Sequence, residues 1–219
     1  MQTLTEPKTQ LPQLTHTRNP GMALDLDWVA SVQANTSAIE RRAASLGGRR
    51  SVKKEFQAAW LLKAISLIDL TTLSGDDTEG RVKRLCAKAR QPVAPDMLEK
   101  LGLPGLTTGA VCVYHEMVET AVRALEGSNI PVAAVSTGFP AGLSSYRLRL
   151  AEIGDSVKAG AKEIDIVISR RHVLTGNWQA LYDEMREMRA ECGEAHVKAI
   201  LATGNWPPCA TSPAPRLSA

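Results

Sequence analysis

The feature that most constrains this chain is a regular alternation that begins near residue 65. Short apolar runs rich in β-branched residues take turns with longer amphipathic stretches, a rhythm that predicts alternating strands and helices. The predicted strands are 65–70, 108–113, 131–136, 163–168 and 196–201. The predicted helices between them are 78–90, 115–126, 144–160 and 178–192. A repeating strand–helix order indicates a parallel sheet buried beneath helices.

Two architectures share this order: an open doubly wound sheet and a closed (β/α)8 barrel. No GxGxxG follows the first run and no Walker loop occurs in the sequence. Polar residues instead lie within or just past several predicted strands, where a barrel carries its active site. A barrel is therefore favoured, but an intact one needs eight strands and about 250 residues. We predict an α/β fold of the TIM-barrel family with about five of its eight βα units.

The ends of the chain differ from this middle part. Residues 1–23 are rich in Thr, Gln, Leu and Pro and are expected to be a disordered extension, with Met22 a possible true start. Helical patterns at 27–34, 36–46 and 52–63 predict a helical extension ahead of the first strand. The predicted barrel portion is 24–204. Residues 205–219 lose every periodicity and are rich in proline, so we expect a disordered tail.

Composition excludes several classes of function. A net charge of +3 over 219 residues and only 4% aromatic residues give no basis for a nucleic-acid or membrane partner. The four cysteines form no CxxC pair, and the four histidines form no HxH or HxxxH pair. Reduced thiols in a cytoplasmic protein are expected, and a metal site built from local histidine motifs is disfavoured.

Charged residues inside apolar strands are the candidate functional residues, because a buried charge needs a partner. Asp69 in LIDLTTLSGDDT and Asp165 in EIDIVIS are expected to be buried, and Asp165 is the better candidate for proton transfer. Lys198 in HVKAILATG is either a cation facing the barrel interior or an edge residue. Cys112 in AVCVYH is either a small core residue or a thiol lining the site.

Six segments in order resemble the deoxyribose-phosphate aldolase family in its animal-type form: LIDLTTLSGDDT, AVCVYH, VSTGFPAG, EIDIVISR, VLTGNWQALYDE and CGEAHVKAILATG. The resemblance covers about residues 24–204. It implies a metal-free, cofactor-free class I aldolase that cleaves 2-deoxy-D-ribose 5-phosphate to glyceraldehyde 3-phosphate and acetaldehyde. It also implies that Asp165 relays protons, that Asp69 and Lys198 pair and contact substrate hydroxyls, and that Cys112 lies near the substrate.

The same resemblance implies a missing part. The family's Schiff-base lysine, in a KTSTG-like motif, and its tuning lysine, in a KPAGG-like motif, have no counterpart here. Lys198 is not expected to replace the nucleophile, because an aspartate partner holds a lysine protonated. We therefore expect a C-terminally truncated family member that is inactive by itself. The alternatives are a non-catalytic isoform that is inert or acts by protein contact and, less favoured, an unrelated phosphosugar barrel enzyme. The oligomeric state is left open.

Overall fold

Three helices precede the sheet. The computed structural model describes residues 21–49 and 51–206. Helix α1 spans Leu26–Ser31, α2 spans Thr36–Leu46 and α3 spans Lys54–Ile65. The side chain of Asn35 caps α2 by accepting a hydrogen bond from the Ala38 backbone, as its sequence predicts. The predicted extension at 1–23 and tail at 205–219 lie almost entirely outside the described residues.

Five parallel strands and their helices follow. The strands are β1 (Asp69–Thr71), β2 (Ala110–Tyr114), β3 (Val132–Ser136), β4 (Glu163–Val167) and β5 (His196–Ile200). The helices are α4 (Glu79–Arg90), α5 (Pro95–Lys100), α6 (Val118–Ala124), α7 (Tyr146–Lys158), α8 (Arg170–Leu174) and α9 (Trp178–Glu191). Short 3-10 turns lie at His115–Met117 and Thr203–Asn205.

The order of the strands separates the two predicted architectures. Each strand pairs in parallel with the next along the chain, giving the order β1-β2-β3-β4-β5. A doubly wound sheet reverses its strand order at a switch point, and this sheet does not. Sequential right-handed crossovers keep the helices on one face, which is the arrangement of a (β/α)8 barrel. The described part of the chain therefore forms a partial barrel of this class.

The core lies between the outer face of the sheet and the helices. It includes Val111, Val113, Ile164 and Ile166 from the strands, packed against buried residues of α4, α6, α7 and α9. A smaller apolar cluster on the inner face contains Cys112, Ala133 and Val135. Burial on both faces explains why β2 and β3 read as continuous apolar runs. No helix within 21–49 and 51–206 combines the length and apolar character needed to span a bilayer.

Three sequence expectations differ from the structure. The first strand covers Asp69–Thr71 and not 65–70, because Ile65 ends α3 and the next residues turn into the strand. The first helix, predicted over 27–34, spans Leu26–Ser31 instead. Asp25 caps it, because its carboxylate accepts a hydrogen bond from the Trp28 backbone. Helices α5 and α8 lie in segments for which the sequence pattern predicted no helix.

Candidate functional site

The two edge strands of the sheet meet through their side chains. Asp69 is on β1 and Lys198 is on β5, yet their carboxylate and ammonium are in direct contact. Four spacings of about 4.8 Å would separate the edges of a flat five-stranded sheet by roughly 19 Å. The sheet must therefore curl strongly, as it does in a barrel. This curvature gathers polar side chains of the inner face into one cluster.

Lys198 lies at the centre of that cluster. Besides Asp69, its Nζ lies 2.9 Å from Glu163 Oε2 and 3.2 Å from Asp165 Oδ1. Burial alone would lower the pKa of Lys198, but hydrogen bonds to Asp69 and Glu163 and the charge of Asp165 outweigh it. The pKa of Lys198 is therefore raised, and the amine stays protonated at neutral pH. The side chain acts as a fixed cation.

Asp165 and Cys112 occupy the more buried side of the cluster. Cys112 Sγ lies 3.9 Å from Asp165 Oδ2, within the range of a weak thiol hydrogen bond. Burial raises the pKa of Asp165, and the ammonium of Lys198 only partly opposes that effect. Burial and the neighbouring Asp165 charge raise the pKa of Cys112 to about 12. The acid is thus displaced toward its protonated form, and the thiol is a poor nucleophile.

The structure brings together Asp69, Cys112, Asp165 and Lys198, the four residues singled out in the sequence. The expected burial of Asp69 is wrong: its side chain is 37% exposed, because β1 is a short edge strand. Glu163 is the residue of the cluster that the sequence did not identify. Its period-two relation to Asp165 placed both on one face, but its position at the start of β4 equally fitted a solvent-facing residue.

The loop after β3, within the segment STGFPAG, is held by polar contacts from its neighbours. Glu152 on α7 accepts a hydrogen bond from the Gly138 backbone at 2.8 Å, and its other oxygen lies 3.3 Å from His115 Nδ1. Gly138 has a φ of +75°, and an added Cβ would come within 2.8 Å of Ser144 Oγ, so glycine is required there. His115 therefore supports the loop and does not itself enter the Lys198 cluster.

A buried ion pair joins the ends of β3 and β4. The guanidinium of Arg149 on α7 donates to the carbonyls of Thr137 at 3.1 Å and Val167 at 2.7 Å. It also pairs with Glu184 on α9 at 3.3 Å, and the two side chains are 4% and 6% exposed. Ser169 completes the group by donating its hydroxyl to Glu184 at 2.6 Å. This group fixes the strand ends next to the cluster.

A cleft of about 510 Å³ lies beside these strand ends, between the loop at 141–144, the start of α8 and helix α9. Neither Asp69, Asp165 nor Lys198 lines it. We place the candidate site at the Lys198 cluster because the chemistry is there: a fixed cation and an acid with a raised pKa lie side by side on the inner face. The cleft is a separate feature on the helical side.

The arrangement can bind a hydroxyl and move a proton. An ammonium has three donors; one of those on Lys198 goes to Asp69, and carboxylate oxygens of Glu163 and Asp165 lie 2.9 and 3.2 Å from Nζ. Burial raises the pKa of Asp165, so this carboxyl holds a proton at higher pH than an exposed carboxyl does. Within the described ranges no group of three or more His, Cys, Asp or Glu is arranged to hold a metal ion. The expected absence of a cofactor stays a prediction.

Comparison with known proteins identifies the family of the chain. The profile of the DeoC/LacD family aldolases matches residues 63–207, and the chain belongs to that family. It is 56% identical over 190 residues to human deoxyribose-phosphate aldolase, which covers 85% of this chain and 60% of the human protein. It is 57% identical over 188 residues to the mouse deoxyribose-phosphate aldolase, covering 84% and 59%. The chain thus spans about three fifths of these relatives.

Solved structures agree on the fold. An aldolase named QR15 superposes with a TM-score of 0.54 at 24% identity, over 65% of this chain and 57% of that one. The tetrameric deoxyribose phosphate aldolase from Aeropyrum pernix superposes with a TM-score of 0.50 at 23% identity, over 67% and 55%. At this level of identity the likeness concerns the fold alone. It fits a partial (β/α)8 barrel.

Proposed function

We propose that the Lys198 cluster belongs to the active site of a class I aldolase acting on 2-deoxy-D-ribose 5-phosphate. The products would be glyceraldehyde 3-phosphate and acetaldehyde, in deoxynucleoside catabolism. The proposal is supported by family membership and by the match to mammalian deoxyribose-phosphate aldolases. It is also supported by the chemistry of the cluster, which pairs a hydroxyl-binding cation with an acid that can exchange a proton.

In this proposal Asp165 is the proton donor and acceptor. Cleavage of an aldol removes a proton from a hydroxyl and returns one to the enamine carbon, so one group with a raised pKa can serve both steps. Lys198 and Asp69 would bind a substrate hydroxyl, which can accept a hydrogen bond from the ammonium and donate one to the carboxylate. Cys112 would line the site without reacting, since the burial that raises its pKa leaves little thiolate.

We further propose that these 219 residues do not supply the Schiff-base nucleophile. The observation that carries this is the contact of Lys198 with three carboxylates, because a nucleophilic lysine needs a neighbouring cation or a dry pocket to lose its proton. Lys198 is also the one lysine within a strand of the described sheet. The chain alone would therefore carry the binding and proton-transfer part of the site without the covalent step.

A trapping experiment tests this. The purified chain is incubated with acetaldehyde and sodium borohydride, which reduces any imine to an ethyl group on the amine. Peptide mapping then compares the rate of modification of Lys198 with that of Lys100, whose side chain is 80% exposed. We expect Lys198 to be modified more slowly than Lys100, because it is protonated and partly buried. The same preparation should release no acetaldehyde from the sugar phosphate.

Preferential ethylation of Lys198, or acetaldehyde release by the chain alone, would refute the proposed inactivity. A full-length aldolase of the same family serves as the positive control for both assays. It should accumulate one ethyl group and cleave the sugar phosphate under identical conditions. If both proteins fail to act on this sugar phosphate while the full-length protein cleaves another, the proposed substrate is wrong but the proposed role of Lys198 stands.

A second candidate function is action by protein contact. Helices α1, α2 and α3 have no buried residue, and Trp28, Phe56 and Trp60 are 60%, 67% and 65% exposed. Apolar surface of this extent marks contact sites in soluble proteins. Light scattering across a concentration series tests it. A mass that rises with concentration, and that falls in Phe56→Ser/Trp60→Ser, supports association; a constant monomer mass contradicts self-association.

We also propose a cytoplasmic location. Cys86, Cys112 and Cys192 are buried free thiols, and thiols persist in that form in a reducing compartment. Fractionation of cells that express a tagged chain tests the location directly. Recovery in the lumen of the secretory pathway would contradict it.

A further inference from the structure

The ammonium of Lys198 is shared unequally among its three carboxylates. Lys198 and Asp165 face each other in the β4–β5 register, yet the Lys198 Nζ makes the shorter contact with Glu163, which lies two residues earlier on β4. Asp165 Oδ1 is buried and accepts no hydrogen bond of normal geometry, although it is 3.2 Å from Nζ. The ammonium donates a hydrogen bond to Asp69, and of the two acids on β4 it lies closer to Glu163 than to Asp165.

We propose that Glu163 is a positioning residue that binds the Lys198 ammonium and thereby leaves Asp165 free to carry the proton of the reaction. This inference rests on the proposed function, because it takes Asp165 as the group that exchanges protons. It adds a residue to the site that the sequence did not single out. Glu163 need not touch the substrate; it acts through Lys198 and through its own charge.

The charges around Asp165 explain the effect. Three carboxylates and one ammonium leave a net charge of −2 if all are ionised. Asp165 is the least exposed of the three acids, at 15% against 22% for Glu163 and 37% for Asp69, so its ionisation costs most. Burial contributes most to its raised pKa, and the negative charges of Asp69 and Glu163 add to it. Glu163 therefore acts twice, by its charge and by drawing Lys198 away.

The other groups that face Asp165 do not substitute for Glu163. Its titratable neighbours on the packed strands are Asp69 on β1, Cys112 on β2 and Lys198 on β5. Strand β3 presents the aliphatic Ala133 and Val135 to the same face. The Cys112 thiol is neutral because burial raises its pKa to about 12, so it contributes no charge. The charge of Asp69 raises the pKa of Asp165 more than that of Glu163 does, but Asp69 lies across the sheet on β1, and only Glu163 shares the strand of Asp165 and its side of the Lys198 ammonium.

The test is a titration of Asp165 by carboxyl-carbon NMR in the full 219-residue chain. In Glu163→Gln, which keeps the size and the hydrogen-bonding oxygen but removes the charge, the acid constant of Asp165 should rise roughly tenfold. Glu99→Gln removes the same charge from the exposed surface of α5 and should leave the acid constant unchanged. An Asp165 midpoint in Glu163→Gln that equals that of the control, in a chain with native amide shifts, would overturn the proposal.

A second variant keeps the test decisive if Glu163→Gln does not fold. Glu163→Asp retains the charge but is one methylene too short to keep the 2.9 Å contact with Lys198 Nζ. We expect the Asp165 midpoint to move in the same direction by less than in Glu163→Gln, and no movement overturns the proposal. The NMR titration needs no turnover, so failure of the Glu163 proposal can be told apart from failure of the proposed aldolase function. A chain without aldolase chemistry can still show the shift, and a catalytic one can lack it.

Discussion

Removal of Arg149 should destabilise the chain far more than removal of a surface charge. The guanidinium makes five hydrogen bonds, to Thr137 O, Val167 O, Ser169 Oγ and both oxygens of Glu184. In Arg149→Met the aliphatic part of the side chain is kept, but each strand-end carbonyl loses one donor and the Glu184 carboxylate loses its cation. Val167 O still accepts from the Thr137 hydroxyl at 3.1 Å. Ser169 still donates to Glu184 through its hydroxyl and its backbone N–H.

The size of the expected loss in unfolding free energy follows from the burial of this ion pair. With 4% and 6% of the two side chains exposed, solvent cannot screen the charge that remains. Breaking one side of such a pair costs about 3–5 kcal/mol. Intact domains have a net stability of about 5–15 kcal/mol, so this loss is a large part of the total. Replacing both members, in Arg149→Met/Glu184→Leu, removes the unpaired charge as well, and should cost clearly less than the sum of the two single changes.

Urea unfolding followed by circular dichroism at neutral pH measures these costs. The control is Lys83→Met, which removes a cation from an exposed pair with Glu79, where the side chains are 58% and 62% exposed. The control should not differ from the parent chain beyond the scatter of the measurement. A cost below about 1 kcal/mol for Arg149→Met, or a double variant whose cost equals the sum of the singles, would refute the argument from buried charge.

Three further outcomes are expected. Asp165→Asn should raise the free energy of unfolding at neutral pH, because burial raises the pKa of Asp165 and its ionised form opposes folding. The gain should vanish below the unfolded pKa of about 3.9, as acid-range urea curves would show. Cys112, its pKa raised by burial to about 12, should resist iodoacetamide at neutral pH until the chain is unfolded, as peptide mass spectrometry would report. Gly142→Ala should cost more than about 1 kcal/mol in urea unfolding, because φ is +70° and the new Cβ would come within 2.9 Å of Val167; Gly75→Ala, with open space, is its control.

Most of the fold could be predicted because the local signals agree with the final structure. The predicted strands at 131–136, 163–168 and 196–201 begin and end within one residue of β3, β4 and β5. Their β-branched runs are short and flanked by turn residues, so no competing helix fits them. The predicted strand at 65–70 was wrong because its local signal is ambiguous. Its apolar residues include Ile65, the last residue of α3, and a short apolar run does not distinguish a helix end from a strand.

The site could be predicted only in part, because its members meet through the curvature of the sheet. Sequence patterns identify Asp165 and Lys198 as charges within apolar strands, but they cannot show that both reach Asp69 across the inner face. Sequence patterns also cannot show which of the two acids of β4 lies closer to Lys198. Glu163 and Asp165 lie on the same face of the strand and have similar neighbours in sequence, and only their distances to the Lys198 Nζ distinguish them. The helix α5, which Pro95 begins, was missed because six residues give little periodicity.

The charges around Lys198 limit which amine could form a Schiff base. A group of three acids and one base in a partly buried site lowers its charge most easily by protonating the most buried acid, which is Asp165, and never by deprotonating Lys198. The same electrostatics that make Asp165 a useful acid therefore make Lys198 a poor nucleophile. A Schiff-base aldolase built on this sheet needs its reactive amine next to another cation, outside the reach of Asp69, Glu163 and Asp165. In the proposed reaction Lys198 would therefore bind and orient the substrate, and the covalent step would belong to a different amine.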